Sequence, residues 1–285
     1  MNKLKIAVQK SGRLSSKSLE LFRECGIILP DFKNKLKATA RNFPLEILFL
    51  RDDDIPRYVE QNIVHLGIIG ENELTEQQCA VNVLRTLGFA QCRLSLAVPR
   101  DTVYPGTSFF AGKTIATSYP VLVNRFLKDN QLDATVVEIS GSVEVAPGIG
   151  LADAIADLVS SGSTLLHNGL KEVETILESQ AVLIANNQLS AEIQELSEQL
   201  QFRLQAVQNS REHKYILLNA PNTSILEITA LLPGMKAPTI LPLAEPGWSS
   251  IHSVVRETEF WRVISRLKQL GAEGILIVPI EKMVI

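Results

Sequence analysis

The chain is poor in the residues that staple or decorate a fold. Its 285 residues include three cysteines, three methionines and two tryptophans, and aromatic residues make up only 6%. Cys25, Cys79 and Cys92 are odd in number and far apart, without metal-ligand spacing. That argues against a disulfide scaffold or a zinc site and for reduced thiols in a cytoplasm. No hydrophobic run approaches the roughly 18 residues of a spanning helix, so a membrane protein is not expected. The opening Met1-Asn2-Lys3-Leu4-Lys5-Ile6-Ala7-Val8 turns polar at Gln9, early for a secretory signal. An excess of one charge is missing too: 28 basic and 31 acidic residues leave a net −3, without the basic footprint of a nucleic-acid binder. What is present, 46% hydrophobic and 21% charged residues, is ordinary for a globular protein with a large core. A cytoplasmic protein that handles small molecules is the expectation.

Periodicity predicts an α/β first half. Short apolar runs at residues 4–8, 45–50 and 65–69 read as strands. The first is followed by a helical pattern carrying Leu19, Leu21, Phe22 and Cys25, with Gly26 as its stop. Asp52-Asp53-Asp54 precedes another helix, and acids suit a helix N-terminus better than a metal centre. A second set starts near Cys92, with strands at 93–98, 113–117 and 135–139, a helix at 121–128, and a strand-like run at 173–185. Mainly parallel sheets with ligands at their carboxyl ends are expected. The chain would form two lobes, about 1–92 plus 178–208 and about 93–177, with a cleft between them. The polar stretch 208–214 reads as a linker. Beyond it, residues 209–285 follow the order β-α-β-β-α-β of a ferredoxin-like module.

Chemistry concentrates in residues 144–164. Asp153 and Asp157 stand four apart, followed by Ser160-Ser161-Gly162-Ser163-Thr164. Hydroxyls, backbone N–H groups and a glycine before a helix at 165–170 form a phosphate cradle by mechanism. Nearby carboxylates suit sugar hydroxyls or hydrated Mg²⁺. A plain turn beside a solvated acidic face uses the same residues.

The run from Glu144 through Gly150, Ala152, Ile155, Asp157, Leu158, Ser161, Gly162 and Thr164 resembles the signature of ATP phosphoribosyltransferases. Further blocks resemble the family in order: Gln9-Lys10-Ser11-Gly12-Arg13-Leu14, Arg51-Asp52-Asp53-Asp54-Ile55-Pro56, Leu66-Gly67-Ile68-Ile69-Gly70-Glu71-Asn72 and Ile115-Ala116-Thr117-Ser118-Tyr119-Pro120. Leu232-Pro233-Gly234 and Pro279-Ile280-Glu281-Lys282-Met283 look like its long form. The resemblance implies a periplasmic-binding-protein-like catalytic unit, residues 1–208, and a regulatory module, residues 209–285. It implies transfer of phosphoribosyl from 5-phosphoribosyl 1-pyrophosphate to N1 of the ATP adenine, with release of pyrophosphate, as the first step of histidine biosynthesis.

Carried onto this sequence, the resemblance implies that Asp157, Leu158, Val159, Ser160, Ser161, Gly162, Ser163 and Thr164 cradle the 5-phosphate. Asp153 and Asp157 would lie near the ribose, and Lys35 near pyrophosphate. Lys10, Gly12 and Arg13 would meet the ATP polyphosphate, while Asn72 and Cys92 line the adenine pocket. Mg²⁺ would travel mainly on the substrate pyrophosphate, and the catalytic set would be Arg13, Asp153 and Asp157. Histidine would inhibit at Asn219, Thr239 and Leu241, in a dimer or hexamer of identical chains. With two polyanionic substrates, positive charge is expected to concentrate in the cleft. The alternative is a non-catalytic two-lobed small-molecule-binding protein, since such lobes also build solute receptors.

Overall fold

A computed structural model describes residues 2–30 and 36–285, so the expectation for Lys35 falls outside the described residues. The chain divides into two compact units, Met1–Glu20 with Ile28–Leu196, and Leu21–Ile27 with Ser197–Ile285.

In the first unit, β1 (Leu4–Gln9), α1 (Arg13–Glu24), β2 (Lys37–Thr39), β3 (Leu45–Leu50), α2 (Ile55–Glu60), β4 (Leu66–Gly70), α3 (Glu71–Gln77) and β5 (Asn82–Thr86) come first. β6 (Cys92–Pro99), β7 (Thr114–Thr117), α4 (Pro120–Asp129), β8 (Thr135–Glu138), β9 (Ala154–Val159), α5 (Ser163–His167) and β10 (Leu170–Ser179) follow, then β11 (Ala181–Ala185). α6 (Ala191–Glu212) begins here and continues into the second unit from Ser197, as the end of α1 does from Leu21. Two sheets result, ordered β2-β3-β1-β4-β11-β5 and β10-β6-β9-β7-β8. Each centres a lobe. The first buries Ala7, Ile55, Val59, Ile69, Val182 and Ile184. The second buries Leu94, Leu96, Phe110, Ile115, Leu122 and Val123.

The run 173–185 is two strands, not one. β10 pairs with β6 in the second sheet, while β11 returns to lie between β4 and β5 in the first. Apolar content continues through both strands, so the run reads as one strand-like stretch although the lobe boundary expected near 177–178 falls inside it. The sheets are also mixed rather than mainly parallel: β1 runs parallel to β3 and β4, and β7 to β8 and β9. β11 is antiparallel to both neighbours, and β6 to β9 and β10. The chain must re-enter each lobe from the other, which reverses those strands.

The second unit adds β12 (His213–Pro221), α7 (Ile225–Leu231), β13 (Thr239–Pro242), β14 (Trp248–Arg256), α8 (Glu257–Gln269) and β15 (Glu273–Pro279). All pairings in its sheet, ordered β13-β14-β12-β15, are antiparallel. With helices between β12 and β13 and between β14 and β15, this is the ferredoxin-like arrangement. Ile216, Leu218 and Ile251 pack with Ile228, Phe260 and Leu267 of the helices. The expected linker at 208–214 is absent: α6 continues to Glu212 and β12 begins at His213. Ser210, polar in sequence, is buried with its hydroxyl donating to the Val207 and Glu281 carbonyls.

Candidate active site

Loops at the carboxyl ends of β1, β3 and β4 meet those of β7 and β9 across the cleft between the lobes. The cleft has a volume of about 330 Å³. Gln9, Gly12, Arg13, Asp52, Asn72 and Glu73 line it from the first lobe, and Cys92, Tyr119, Leu158 and Ser160 from the second. A smaller hollow of about 70 Å³ adjoins it, lined by Arg13 and the whole segment Asp157–Leu165. Arg13, first residue of α1, aims Nη1 at Ser160 Oγ, 3.4 Å away, so one guanidinium borders both spaces.

The small hollow is made by a turn that demands glycine. Gly162 has φ +76°, a left-handed conformation, and stands at the N-cap of α5 with no side chain to occupy the first N–H groups. The helix is Ser163–His167, shorter and earlier than the 165–170 expected. Ser161 and Ser163 share a hydroxyl hydrogen bond at 3.0 Å. Hydroxyls, free N–H groups and Arg13 make this a seat for a compact anion.

The two acids of the sequence motif part company. Asp157 borders the hollow, and burial, reinforced by Glu144, pushes its carboxyl above the usual range although the Leu158 N–H donates to it at 2.8 Å. Asp153 precedes β9, roughly 13 Å away for four extended residues. There it accepts the Thr114 N–H at 2.9 Å and pairs with Lys113 Nζ at 3.3 Å, which hold its pKa down. The expectation that Asp153 joins the catalytic set is therefore corrected. Four residues on a strand share a face but not an end.

At the other end of the cleft, Asn72 is 5% exposed. Its Oδ1 accepts from Ser179 Oγ at 2.8 Å, which fixes the amide so that Nδ2 donates to Tyr119 OH at 3.3 Å. Gly70 is required here, because a Cβ at that position would lie 2.4 Å from Asn72 Oδ1. Cys92 lines the same space, and burial pushes its thiol pKa up, so it packs as a neutral group rather than a nucleophile. Lys10 is exposed on the turn after β1, outside the lining of both hollows.

Several lining residues escaped sequence reasoning. Asp52, read as a helix-capping acid, accepts from Gln9 Nε2 at 3.1 Å and faces the cleft. Asp53 pairs with Arg51 at 2.8 Å, and Asp54, at the N-cap of α2, makes no capping bond. Tyr119 stands in a block that resembles the family but carries no role there, and nothing in the sequence marks Glu73. Nor does anything mark Glu76, 9% exposed, whose oxygens accept the Val121 and Leu122 N–H groups at 2.8 and 3.0 Å, capping α4 from the opposite lobe. The charged lining among the described residues is Asp52, Glu73 and Asp157 against Arg13, an acidic cleft rather than the basic one expected.

In the second unit, Thr239 borders a hollow of about 200 Å³ with Tyr215, Lys236 and His252. Asn219 and Leu241 lie outside that lining but register with the same residue, Ser250, from the two strands flanking β14. A hollow of about 380 Å³ elsewhere in this unit is lined by Arg23 and Arg211. These are basic residues in the last turns of α1 and α6, where they complement helix dipoles.

Two α/β lobes around a cleft, with a ferredoxin-like module after them, define a periplasmic-binding-protein-like unit carrying an appended C-terminal domain. A family model described as ATP phosphoribosyltransferase matches residues 51–206, and one described as HisG, C-terminal domain, matches residues 210–282. An ATP phosphoribosyltransferase of Cytophaga hutchinsonii is 54% identical over 281 residues, 99% of this chain and 98% of its own. That of Bacteroides thetaiotaomicron is 54% identical over 282 residues, 99% and 100% of the two chains. Among solved structures, an ATP phosphoribosyl transferase (HisG:HisZ) complex from Thermotoga maritima aligns with TM-score 0.60 and 24% identity, over 70% of this chain and 98% of that one. A probable amino-acid ABC transporter extracellular-binding protein of Bacillus subtilis aligns with TM-score 0.50 and 13% identity, over 73% and 93%. These two speak for the fold. The chain belongs to the ATP phosphoribosyltransferase family. It is an enzyme of histidine biosynthesis, a pentosyltransferase, and the receptor alternative falls.

Proposed function

We propose that the cleft of the first unit holds both substrates, with 5-phosphoribosyl 1-pyrophosphate anchored in the Asp157–Thr164 loop and the ATP adenine between Asn72 and Cys92. The observation that carries this reading is Arg13, which borders the anion hollow and the larger cleft at once. One cation there touches the phosphates of both ligands and orients them for attack, which lowers the barrier through proximity. Asp157 takes the ribose hydroxyls, whose donors relieve the cost of its burial. Adenine N1 brings its own lone pair, so no nucleophilic side chain is needed.

Mg²⁺ fits this donor set. Among the described residues no group of three or more His, Cys, Asp or Glu side chains forms a dedicated cage. Mg²⁺ is commonly held by one or two carboxylates together with substrate phosphates. Asp157 would be the carboxylate that holds it beside the substrate phosphates, and when bound the ion would supply charge neutralisation for the departing pyrophosphate.

The division into a catalytic part, about 1–208, and a regulatory part, 209–285, belongs to the same proposal. Histidine would bind the open face of the C-terminal sheet near Thr239, with Asn219 offering a neutral hydrogen bond. That face, with exposed Leu241, Leu276 and Val278, suits contact between copies in a homo-oligomer. No described helix is long and apolar enough to cross a membrane, and a cytoplasmic site suits three unpaired thiols.

Replacing Ser161 and Thr164 together by Ala tests the reading. Affinity for 5-phosphoribosyl 1-pyrophosphate, measured by calorimetry, is expected to fall at least tenfold, with histidine binding unchanged. Equal loss for both ligands overturns the assignment.

A further inference from the structure

The cleft contains a carboxylate for which the proposed function has no use. Glu73 follows Asn72 on the first turn of α3 and lines the cleft. Gln77 Nε2 donates to its Oε1 at 2.9 Å, and Oε2 has no other partner among the described residues. The groups around it are Asp52 and Asp53 from the loop after β3, Glu76 from its own helix, and Tyr119 at the start of α4. Arg13 and Cys92 line the same space. Burial and then these neighbouring acids hold Glu73 above the ordinary carboxylate range. Its acidic neighbours cannot neutralise it, and a cationic ligand group can.

The reaction produces such a group. The N1 lone pair forms the N1–C1 bond while the C1–O bond breaks, and that electron pair leaves on pyrophosphate. The adenine ring is left with a positive charge shared between N1 and the exocyclic N6. We propose that Glu73 is the catalytic base of this step, Oε2 accepting a hydrogen bond from the N6 amino group and then its proton. The base leaves as the neutral imino form, and the carboxylic acid returns the proton to water. This deepens the adenine placement between Asn72 and Cys92 and rests on it. A base whose pKa lies above the usual carboxylate range is a better proton acceptor near neutrality than an exposed glutamate.

The experiment is a pair of pH profiles, forward with ATP and reverse with phosphoribosyl-ATP and pyrophosphate, on the full chain. In the wild type the forward rate falls as pH drops through the Glu73 pKa, and the reverse rate rises. Glu73→Gln is expected to lose that limb in both directions and to lower kcat about 100-fold, leaving KM for 5-phosphoribosyl 1-pyrophosphate unchanged. Glu73→Asp retains the limb at a shifted pH, and it decides the matter if the glutamine variant does not fold. A limb that persists in Glu73→Gln, or that does not move in Glu73→Asp, overturns the role. Cys92→Trp, which fills the cleft, separates this from the underlying placement. Undiminished ATP binding by that variant removes the adenine from the cleft, whereas abolished binding with a persistent limb removes only Glu73.

Discussion

Asp153 and Asp157 are the same side chain four positions apart on one strand, and their surroundings give them opposite properties. Asp157 sits at the carboxyl end beside the anion hollow, held protonation-prone by burial, whereas Asp153 is exposed and paired at the other end. Asp157→Ala is expected to lower kcat/KM about 100-fold, in the range for removing one preorganised group around a reacting centre. Asp153→Ala should keep near-wild-type kcat/KM in the same assay. The depressed pKa of Asp153 adds stability above its unfolded value, and that stability is lost as pH falls through the lower folded value. Melting temperatures of Asp153→Asn and wild type should therefore converge in acid. The Gly162 turn could be read from residue type, because glycine before a helix takes the left-handed conformation without steric cost. The need for glycine at position 70 could not. It arises from Asn72 Oδ1, whose approach depends on Ser179, 107 residues away.

Among the elements, α4 shows how a helix can depend on another lobe. It begins Tyr119-Pro120, a start with no capping side chain, and its first free N–H groups are satisfied by Glu76 of α3. A charged acceptor at a helix N-terminus is favoured both as a hydrogen-bond partner and by the dipole. Glu76→Ala is expected to destabilise the fold by about 1–2 kcal/mol, the range for loss of a cap, read as a lower melting temperature. An unchanged melting temperature would show that water replaces the carboxylate without loss. Sequence pattern found α4 itself, since its apolar spacing is local, but could not find its cap, because the two partners are 45 residues apart. The same limit made buried Ser210 read as part of a linker.

For the molecule as a whole, the mild net charge of −3 conceals a cleft that is locally acidic among its described residues. Two polyanionic substrates and three carboxylates repel each other unless cations enter with the ligands. Activity should accordingly vanish in a chelator and return with Mg²⁺, while far-ultraviolet circular dichroism stays constant. Full turnover in the chelator would contradict this account. The sequence by itself determined the α/β character, the two-part organisation and the Ser/Gly/Thr turn before a helix, because periodicity, turn chemistry and ordered motifs are local properties of a chain. Only the tertiary structure decided which of two aspartates borders the anion hollow, that Glu73 and Tyr119 share the cleft with Arg13, and that the lining is acidic among the described residues. Those outcomes depend on which strand ends the two lobes turn toward each other, and no local pattern records that.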